Sequence, residues 1–132
     1  VTFYVLNTGS PHYIEFVDSV NSVDIVGLGQ MIRYNERFKA EGINVNFVQQ
    51  EEGQLFVRTY ERGVENETFS CGTGVTASAL IAGIEKLGEQ KIHIETLGGK
   101  LAVSFNNRGD NIFDNIYLMG PGTFVFNGSL DI

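Results

Sequence analysis

One segment of this sequence constrains the fold more than any other: a nearly uncharged stretch of small residues that we predict to be a helix over residues 74–87. It reads VTASALIAGI over residues 75–84, and it closes at Gly88, a residue type common just beyond a helix C-terminus. A surface helix keeps one polar face, so a helix that is apolar or small on all sides has to be buried. The rest of the chain is therefore expected to wrap around this helix.

The remaining sequence is dominated by segments typical of β-strands, in which apolar residues alternate and β-branched and aromatic side chains are frequent. Eight strands are predicted, at residues 3–7, 13–17, 44–50, 55–61, 91–96, 100–105, 115–119 and 123–126. Gly- and Asn-containing turns at residues 51–54, 98–99 and 106–110 favour antiparallel pairing. An amphipathic helix is predicted from Asp24 to about Lys39. The predicted fold class is α+β, with antiparallel strands wrapped as a barrel around a buried central helix.

The size and charge of the chain limit its function. Its 132 residues, 42% of them hydrophobic, fit a single domain with a substantial core. The formal net charge of -7, with only nine scattered Lys and Arg residues, argues against nucleic acid or an anionic membrane as a partner. The sequence has neither a signal-peptide pattern nor an apolar run of about 18 residues, so we expect a cytoplasmic protein.

The single cysteine, Cys71, is the strongest candidate for a catalytic group. It lies in the sequence Cys71-Gly72-Thr73-Gly74, where a Gly-rich turn enters the predicted central helix. A helix N-terminus carries partial positive charge and unpaired N–H groups, which stabilise a thiolate and bind a carboxylate. We expect the N–H groups that follow Cys71 to converge on one acidic group, in the manner of an oxyanion hole.

Three further motifs lie at the ends of predicted strands: NTGSPH at residues 7–12, GINVNF at 42–47 and ERG at 61–63. With the Cys71 motif and the ending GPGTFVFNG at residues 120–128, they closely resemble the C-terminal half of the diaminopimelate epimerase family. The resemblance spans nearly the whole chain. It implies a complete protein with two similar domains, each with strands wrapped around a central helix. Residues 1–132 are then expected to be one domain, the C-terminal half, with the N-terminal half absent.

The family resemblance implies a cofactor-independent isomerase that interconverts LL- and meso-diaminopimelate in lysine and peptidoglycan-precursor biosynthesis. Two thiols act on opposite faces of the substrate α-carbon, one as thiolate base and the other as thiol acid, and Cys71 matches the C-terminal member. The second cysteine is then expected on the absent N-terminal domain, and the isolated half is expected to be inactive. The resemblance leaves open whether the complete protein forms a homodimer.

The resemblance also assigns roles around the reacting end of the substrate. Gly72 and Thr73 match the positions whose N–H groups bind the α-carboxylate. His12 and Glu61 match positions near the thiols, where they are expected to set which thiol is charged.

At the distal, non-reacting end of the substrate, the resemblance places Arg62 and Asn44. The planar guanidinium of Arg62 suits a carboxylate because it binds in a bidentate manner. Glu61 is counted with the substrate-binding residues, as is Ser10, which stands where the family commonly has Asn. One substrate hydrogen bond is therefore expected to differ from the family pattern.

Other functions stay open on the sequence alone. Another two-cysteine amino-acid racemase, such as a proline racemase relative, has no need of the distal groups Arg62 and Asn44. A Cys-His hydrolase or transferase would use Cys71 as nucleophile and His12 as its base. A non-catalytic domain would bind a carboxylate only. One cysteine and two separated histidines form no metal-ligand set, and no nucleotide-binding motif occurs, so neither a metal nor a cofactor is expected.

Overall fold

The computed structural model describes all 132 residues and contains eight strands and two helices. In chain order these are β1 (Tyr4–Asn7), β2 (Pro11–Phe16), α1 (Ile25–Arg33), β3 (Asn44–Glu51), β4 (Gln54–Glu61), β5 (Asn66–Thr68), α2 (Gly72–Ala82), β6 (Gly88–Thr96), β7 (Gly99–Gly109) and β8 (Ile112–Met119). A short 3₁₀ turn, Val20–Ser22, precedes α1.

All eight strands belong to one sheet, which curves around α2 as a half-barrel. The strand order is β1-β2-β3-β4-β6-β7-β8, with β5 paired to β4, and α2 contacts every strand except β5. The expected α+β architecture, with strands wrapped around a buried central helix, is confirmed. The prediction that the strands are all antiparallel is wrong in part: the sheet is mixed, because β2 pairs with β3 and β4 pairs with β6 in parallel. Parallel pairing requires a long crossover connection, and α1 and α2 lie in those two connections.

The central helix α2 begins and ends earlier than the sequence pattern predicts. It starts at Gly72 and ends at Ala82, with Gly83 at its C-cap, instead of continuing to residue 87. The side-chain amide of Asn107 donates to the carbonyls of Gly83, Ile84 and Lys86, which replaces the continuing helical hydrogen bonds. Neither helix of the chain has the length and apolar character needed to cross a membrane.

The amphipathic helix α1 is confirmed at its start and is shorter than predicted at its end. The Asp24 side chain accepts a hydrogen bond from the N–H of Gly27 at 3.0 Å, which caps the first turn. The helix stops at Arg33, six residues before Lys39. Just beyond this point, the Asn35 side chain accepts from two following backbone N–H groups, and such local bonding competes with helix continuation.

The predicted strand at residues 123–126 is wrong, because residues 120–132 have no regular secondary structure. Phe124, Val125 and Phe126 are 76–80% exposed. The alternation in this segment is typical of a strand, but a strand forms only beside a neighbour that completes its hydrogen bonds, and the sheet ends at β8. The pattern also missed β5, which is three residues long and polar.

The strands β2, β3 and β4 are buried on both faces, which separates two hydrophobic cores. Alternate residues point to opposite faces of a strand, so Val45 and Phe47 join the core that includes Ile25 of α1, whereas Val48 joins the core around α2. The same alternation directs polar residues of these strands towards α2. Their register pairs His12 with Asn44 and Asn46 with Thr59.

Candidate active site

Cys71 lies at the N-cap of α2, at one end of the half-barrel. Its backbone is extended, with φ -128° and ψ 106°, and its carbonyl accepts the hydrogen bond of Val75 N–H at 2.9 Å. The residue is half-buried, and its Sγ lies 3.6 Å from Thr73 Oγ1. The thiol is therefore neither sealed in the core nor isolated from polar neighbours.

The hydroxyl group of Thr73 is the centre of the polar network beside Cys71. Thr73 Oγ1 lies 2.8 Å from His12 Nε2 and 3.0 Å from Ser10 Oγ, and these two atoms are 3.0 Å from each other. Thr8 Oγ1 donates to the Thr73 carbonyl at 2.7 Å. The loop between β1 and β2 is thus fastened to the first turn of α2. The sequence assigned Thr73 an N–H role only, whereas its side chain also joins the site.

His12 is fully buried beneath this network. Burial, followed by the positive charge of Arg62, lowers the pKa of His12 to about 4, because both disfavour the imidazolium form. The imidazole is therefore neutral near neutral pH, with one ring nitrogen that donates and one that accepts.

Asn44 joins the ends of three strands through its side-chain amide. Its Oδ1 accepts from Arg62 N–H at 2.8 Å, and its Nδ2 donates to Ser10 Oγ and to the carbonyl of Pro11, both at 3.2 Å. The residue is only 4% exposed. Both hydrogens of the amide are consequently used within the chain, and only Oδ1 retains a free lone pair.

Glu61 ends β4 and Arg62 begins the tight turn that follows it, with both residues partly exposed. Glu65 closes the turn: its N–H donates to the Glu61 carbonyl at 2.8 Å, and its carboxylate accepts from Gly63 N–H at 2.9 Å. The guanidinium of Arg62 donates to the carbonyl of Glu41 at 3.0 Å. The turn holds the backbone of Arg62 against Asn44 and leaves its charged group at the surface.

The structure brings most of the sequence-predicted site residues together. Cys71, Thr73, Ser10, His12 and Asn44 form one connected network, which Arg62 joins through its backbone. Sequence reasoning did not assign site roles to Thr8, Asn46 and Thr59. The signal for Asn46 was present, because period-2 alternation places it on the same strand face as Asn44 among the apolar residues Val45, Phe47 and Val48. Thr59 became recognisable only through the β3–β4 register.

Gly74 leaves the space that this network needs. A Cβ atom at Gly74 would lie 2.4 Å from Asn46 Oδ1 and 3.1 Å from His12 Cε1. We expect Gly74→Ala to lower the free energy of unfolding by about 1–3 kcal/mol, because both neighbours are buried and have no room to shift. Urea denaturation of the chain measures this loss. Gly122→Ala is the control, since its Cβ meets nothing within 4 Å; equal stability of the two variants would contradict the steric argument.

The two largest cavities of the chain lie away from Cys71. A groove of about 690 Å³ runs beside α2 between β1 and β8, and a pocket of about 620 Å³ lies on β6, β7 and β8. Cys71 lines neither of them. No group of three or more His, Cys, Asp or Glu side chains is arranged to hold a metal ion.

Comparison with solved structures defines the class of fold. The chain is similar to a phenazine biosynthesis protein of the PhzF family from Enterococcus faecalis, with a TM-score of 0.58 and 17% identity over 79% of this chain and 42% of that one. It is equally similar, with a TM-score of 0.58 and 15% identity, to a predicted epimerase from Pseudomonas aeruginosa, covering 77% of this chain and 34% of that one. The fold is thus the one found in PhzF proteins and in this epimerase.

Sequence comparison identifies the family within that class. The family model described as diaminopimelate epimerase matches residues 4–125, and the chain belongs to this family. It is 46% identical to the diaminopimelate epimerase of Flavobacterium psychrophilum, over 97% of this chain and 50% of that protein. It is also 46% identical to that of Methanocella arvoryzae, over 96% of this chain and 43% of that protein. The chain spans about half the length of the curated relatives it matches.

Proposed function

We propose that residues 1–132 are one domain of a diaminopimelate epimerase and supply one of its two catalytic thiols. The observation that carries the proposal is the position of Cys71 at the N-terminus of the buried helix, within the network of Ser10, His12, Asn44 and Thr73. Family membership supports this assignment, because it covers the elements that build the network. The substrate is LL- or meso-diaminopimelate.

The proposed reaction is a proton transfer that inverts one α-carbon. A thiolate on one face removes the α-proton and becomes a thiol, while a thiol on the opposite face returns a proton and becomes a thiolate. Cys71 is one of these groups, and the other belongs to the complementary half of the protein. Two groups are needed because one side chain cannot reach both faces of the same carbon. The scheme consumes neither an oxidant nor a cofactor.

The acidic end of the substrate is assigned to the first turn of α2. The N–H groups of Gly72 and Thr73 have no partner inside the helix, and the helix dipole favours an anion there. As the α-proton leaves, negative charge moves onto the α-carboxylate, so fixed N–H donors stabilise the transition state more than the ground state. Closure of the complementary half over the first turn of α2 would exclude water and strengthen these interactions.

The distal end of the substrate is assigned to the turn after β4. Arg62 supplies a guanidinium for the distal carboxylate once it exchanges its contact with the Glu41 carbonyl. The free lone pair on Asn44 Oδ1 is an acceptor for the distal ammonium group, and the Ser10 hydroxyl is a second acceptor in the state in which it donates to Thr73. Glu61 completes the substrate-binding set and sets the charge state of the thiols together with His12.

The partner in this scheme is a second domain that carries the other cysteine, and a homodimer of the complete protein stays open. A catalytic thiol has to remain reduced, and a reducing cytoplasm provides that condition. Lysine and peptidoglycan-precursor synthesis is the proposed context of the reaction.

The test joins this chain to the complementary half of the Flavobacterium psychrophilum relative. In deuterated water, we expect the joined protein to exchange the substrate α-proton with solvent and to interconvert the two isomers, as measured by NMR. The 132-residue chain alone is expected to do neither, because the opposing thiol is missing. Turnover by the chain alone would contradict the two-thiol scheme. If the joined protein racemised proline instead of diaminopimelate, the proposed substrate would be wrong and the activity would be that of a related amino-acid racemase.

A further inference from the structure

We infer that Asn46 and Thr59 are positioning residues that fix His12 as the neutral tautomer with its proton on Nε2. In this state His12 is a permanent hydrogen-bond donor to Thr73 and does not accept a proton from Cys71. The tautomer follows from contacts within the chain alone. Only its consequence for proton transfer rests on the proposed function.

The orientation of the Asn46 side chain is fixed by a backbone carbonyl. Asn46 Nδ2 lies 3.1 Å from the carbonyl oxygen of Tyr13, which only accepts hydrogen bonds, so this atom has to be the nitrogen. On the other side, Asn46 Oδ1 accepts from Thr59 Oγ1 at 2.7 Å, so the amide oxygen also has a partner in this orientation. Asn46 and Thr59 are 0% and 3% exposed, so water does not compete for these bonds.

The second hydrogen of the Asn46 amide determines where the proton of His12 lies. Asn46 Nδ2 is 3.0 Å from His12 Nδ1, and because the amide nitrogen only donates, Nδ1 has to accept. The neutral imidazole therefore carries its proton on Nε2. If Nδ1 carried the proton, the N–H groups of His12 Nδ1 and Asn46 Nδ2 would face each other in a fully buried position, with no acceptor between them. The imidazolium form would meet the same conflict, because it carries a proton on both ring nitrogens.

The Nε2–H group of His12 points at the hydroxyl groups beside Cys71. Thr73 Oγ1 accepts from it at 2.8 Å, which occupies one of its two lone pairs. Ser10 Oγ is directed in a similar way, because the oriented amide of Asn44 donates to it at 3.2 Å. Ser10 is therefore free to donate its own proton to Thr73 at 3.0 Å.

With these donors in place, the direction of the Thr73 hydroxyl hydrogen depends on the charge state of Cys71. When the sulfur is a thiolate, Ser10 donates to Thr73 and Thr73 donates to Sγ. When the sulfur is a thiol, it donates to Thr73, and Thr73 donates to Ser10. The change needs rotation of two hydroxyl groups and no movement of His12. The geometry thereby argues against a Cys-His hydrolase, in which the imidazole has to take the thiol proton.

The decisive measurement is the protonation of the His12 ring by ¹⁵N NMR on the 132-residue chain, which needs no substrate and no second domain. Near neutral pH we expect one proton-bearing Nε2 and one unprotonated Nδ1, without averaging between tautomers. A proton on Nδ1, or an imidazolium ring, would overturn the inference. Failure of epimerisation in the joined protein would leave this readout intact, so the two proposals fail separately.

Asn46→Asp tests the positioning role, because a carboxylate at this place accepts from Nδ1–H and moves a proton to that nitrogen. We expect the ring signals to change accordingly, and kcat of the joined protein to fall about tenfold with little change in KM. The matched control is Asn107→Asp, a buried asparagine at the other end of α2 whose amide also donates to carbonyls. It should lose stability and leave the His12 ring unaltered. An unaltered ring in Asn46→Asp would refute the role. If both variants unfold, the ring of the unsubstituted chain decides.

Discussion

Replacing Cys71 by serine is expected to lower the rate of epimerisation about 10²–10⁴-fold in the protein that joins this chain to its complementary half. A serine hydroxyl is a far weaker acid than a thiol, so it supplies neither the base nor the acid of the proposed reaction. The measurement is α-proton exchange with deuterated solvent from each isomer separately. The loss should appear in both directions, because each thiol acts in both.

The neighbouring Ser70→Ala variant is the control for this experiment. Ser70 is exposed and precedes the helix, so its removal should leave exchange within a factor of about two. Full activity of Cys71→Ser would remove this residue from the mechanism. Trapping of a covalent acyl intermediate on Cys71 would instead favour a nucleophilic role.

Replacing Asn44 by alanine is expected to lower the free energy of unfolding by about 2–4 kcal/mol. The substitution removes three hydrogen bonds and leaves the Arg62 N–H and the Pro11 carbonyl without their partner at a position that is 4% exposed. Urea denaturation of the chain, followed by circular dichroism, measures the change. If Asn44 acted only by binding the distal end of the substrate, its replacement would not lower the stability of the chain.

The control for Asn44 is Asn21→Ala, an exposed asparagine whose truncation should change stability by less than about 0.5 kcal/mol. If Asn44→Ala were as stable as this control, the amide would not hold the strand ends together. In the joined protein, the same variant should also weaken substrate binding, because Ser10 and the backbone of Arg62 lose their common anchor.

The predictions from sequence succeeded where a local pattern carried the information. The small, uncharged residues before Gly83 indicated a buried helix, and α2 is indeed surrounded by the sheet. Asp24 indicated the start of α1. They failed where a distant residue decides: Asn107 ends α2, and residues 123–126 lack a neighbouring strand despite their alternation.

The candidate site divides in the same way. Cys71 and its glycines are contiguous, so their place at a helix N-terminus was readable from the sequence. The central position of Thr73 in the hydrogen-bond network was not readable from the sequence, because its partners Ser10 and His12 are more than 60 residues away in the chain. The orientation of His12 depends further on Thr59, which reaches it only through Asn46 and the register of β3 with β4.

The sequence by itself determined the family, the wrapped helix and the cysteine at its entrance, because each depends on residues adjacent along the chain or on a fixed period. Only the tertiary structure decided which site residues form hydrogen bonds with each other, and which of them donate. Each of these hydrogen bonds forms only where a donor and an acceptor from different parts of the chain lie about 3 Å apart. Those distances are set by strand register and by the space at Gly74, which no local pattern encodes.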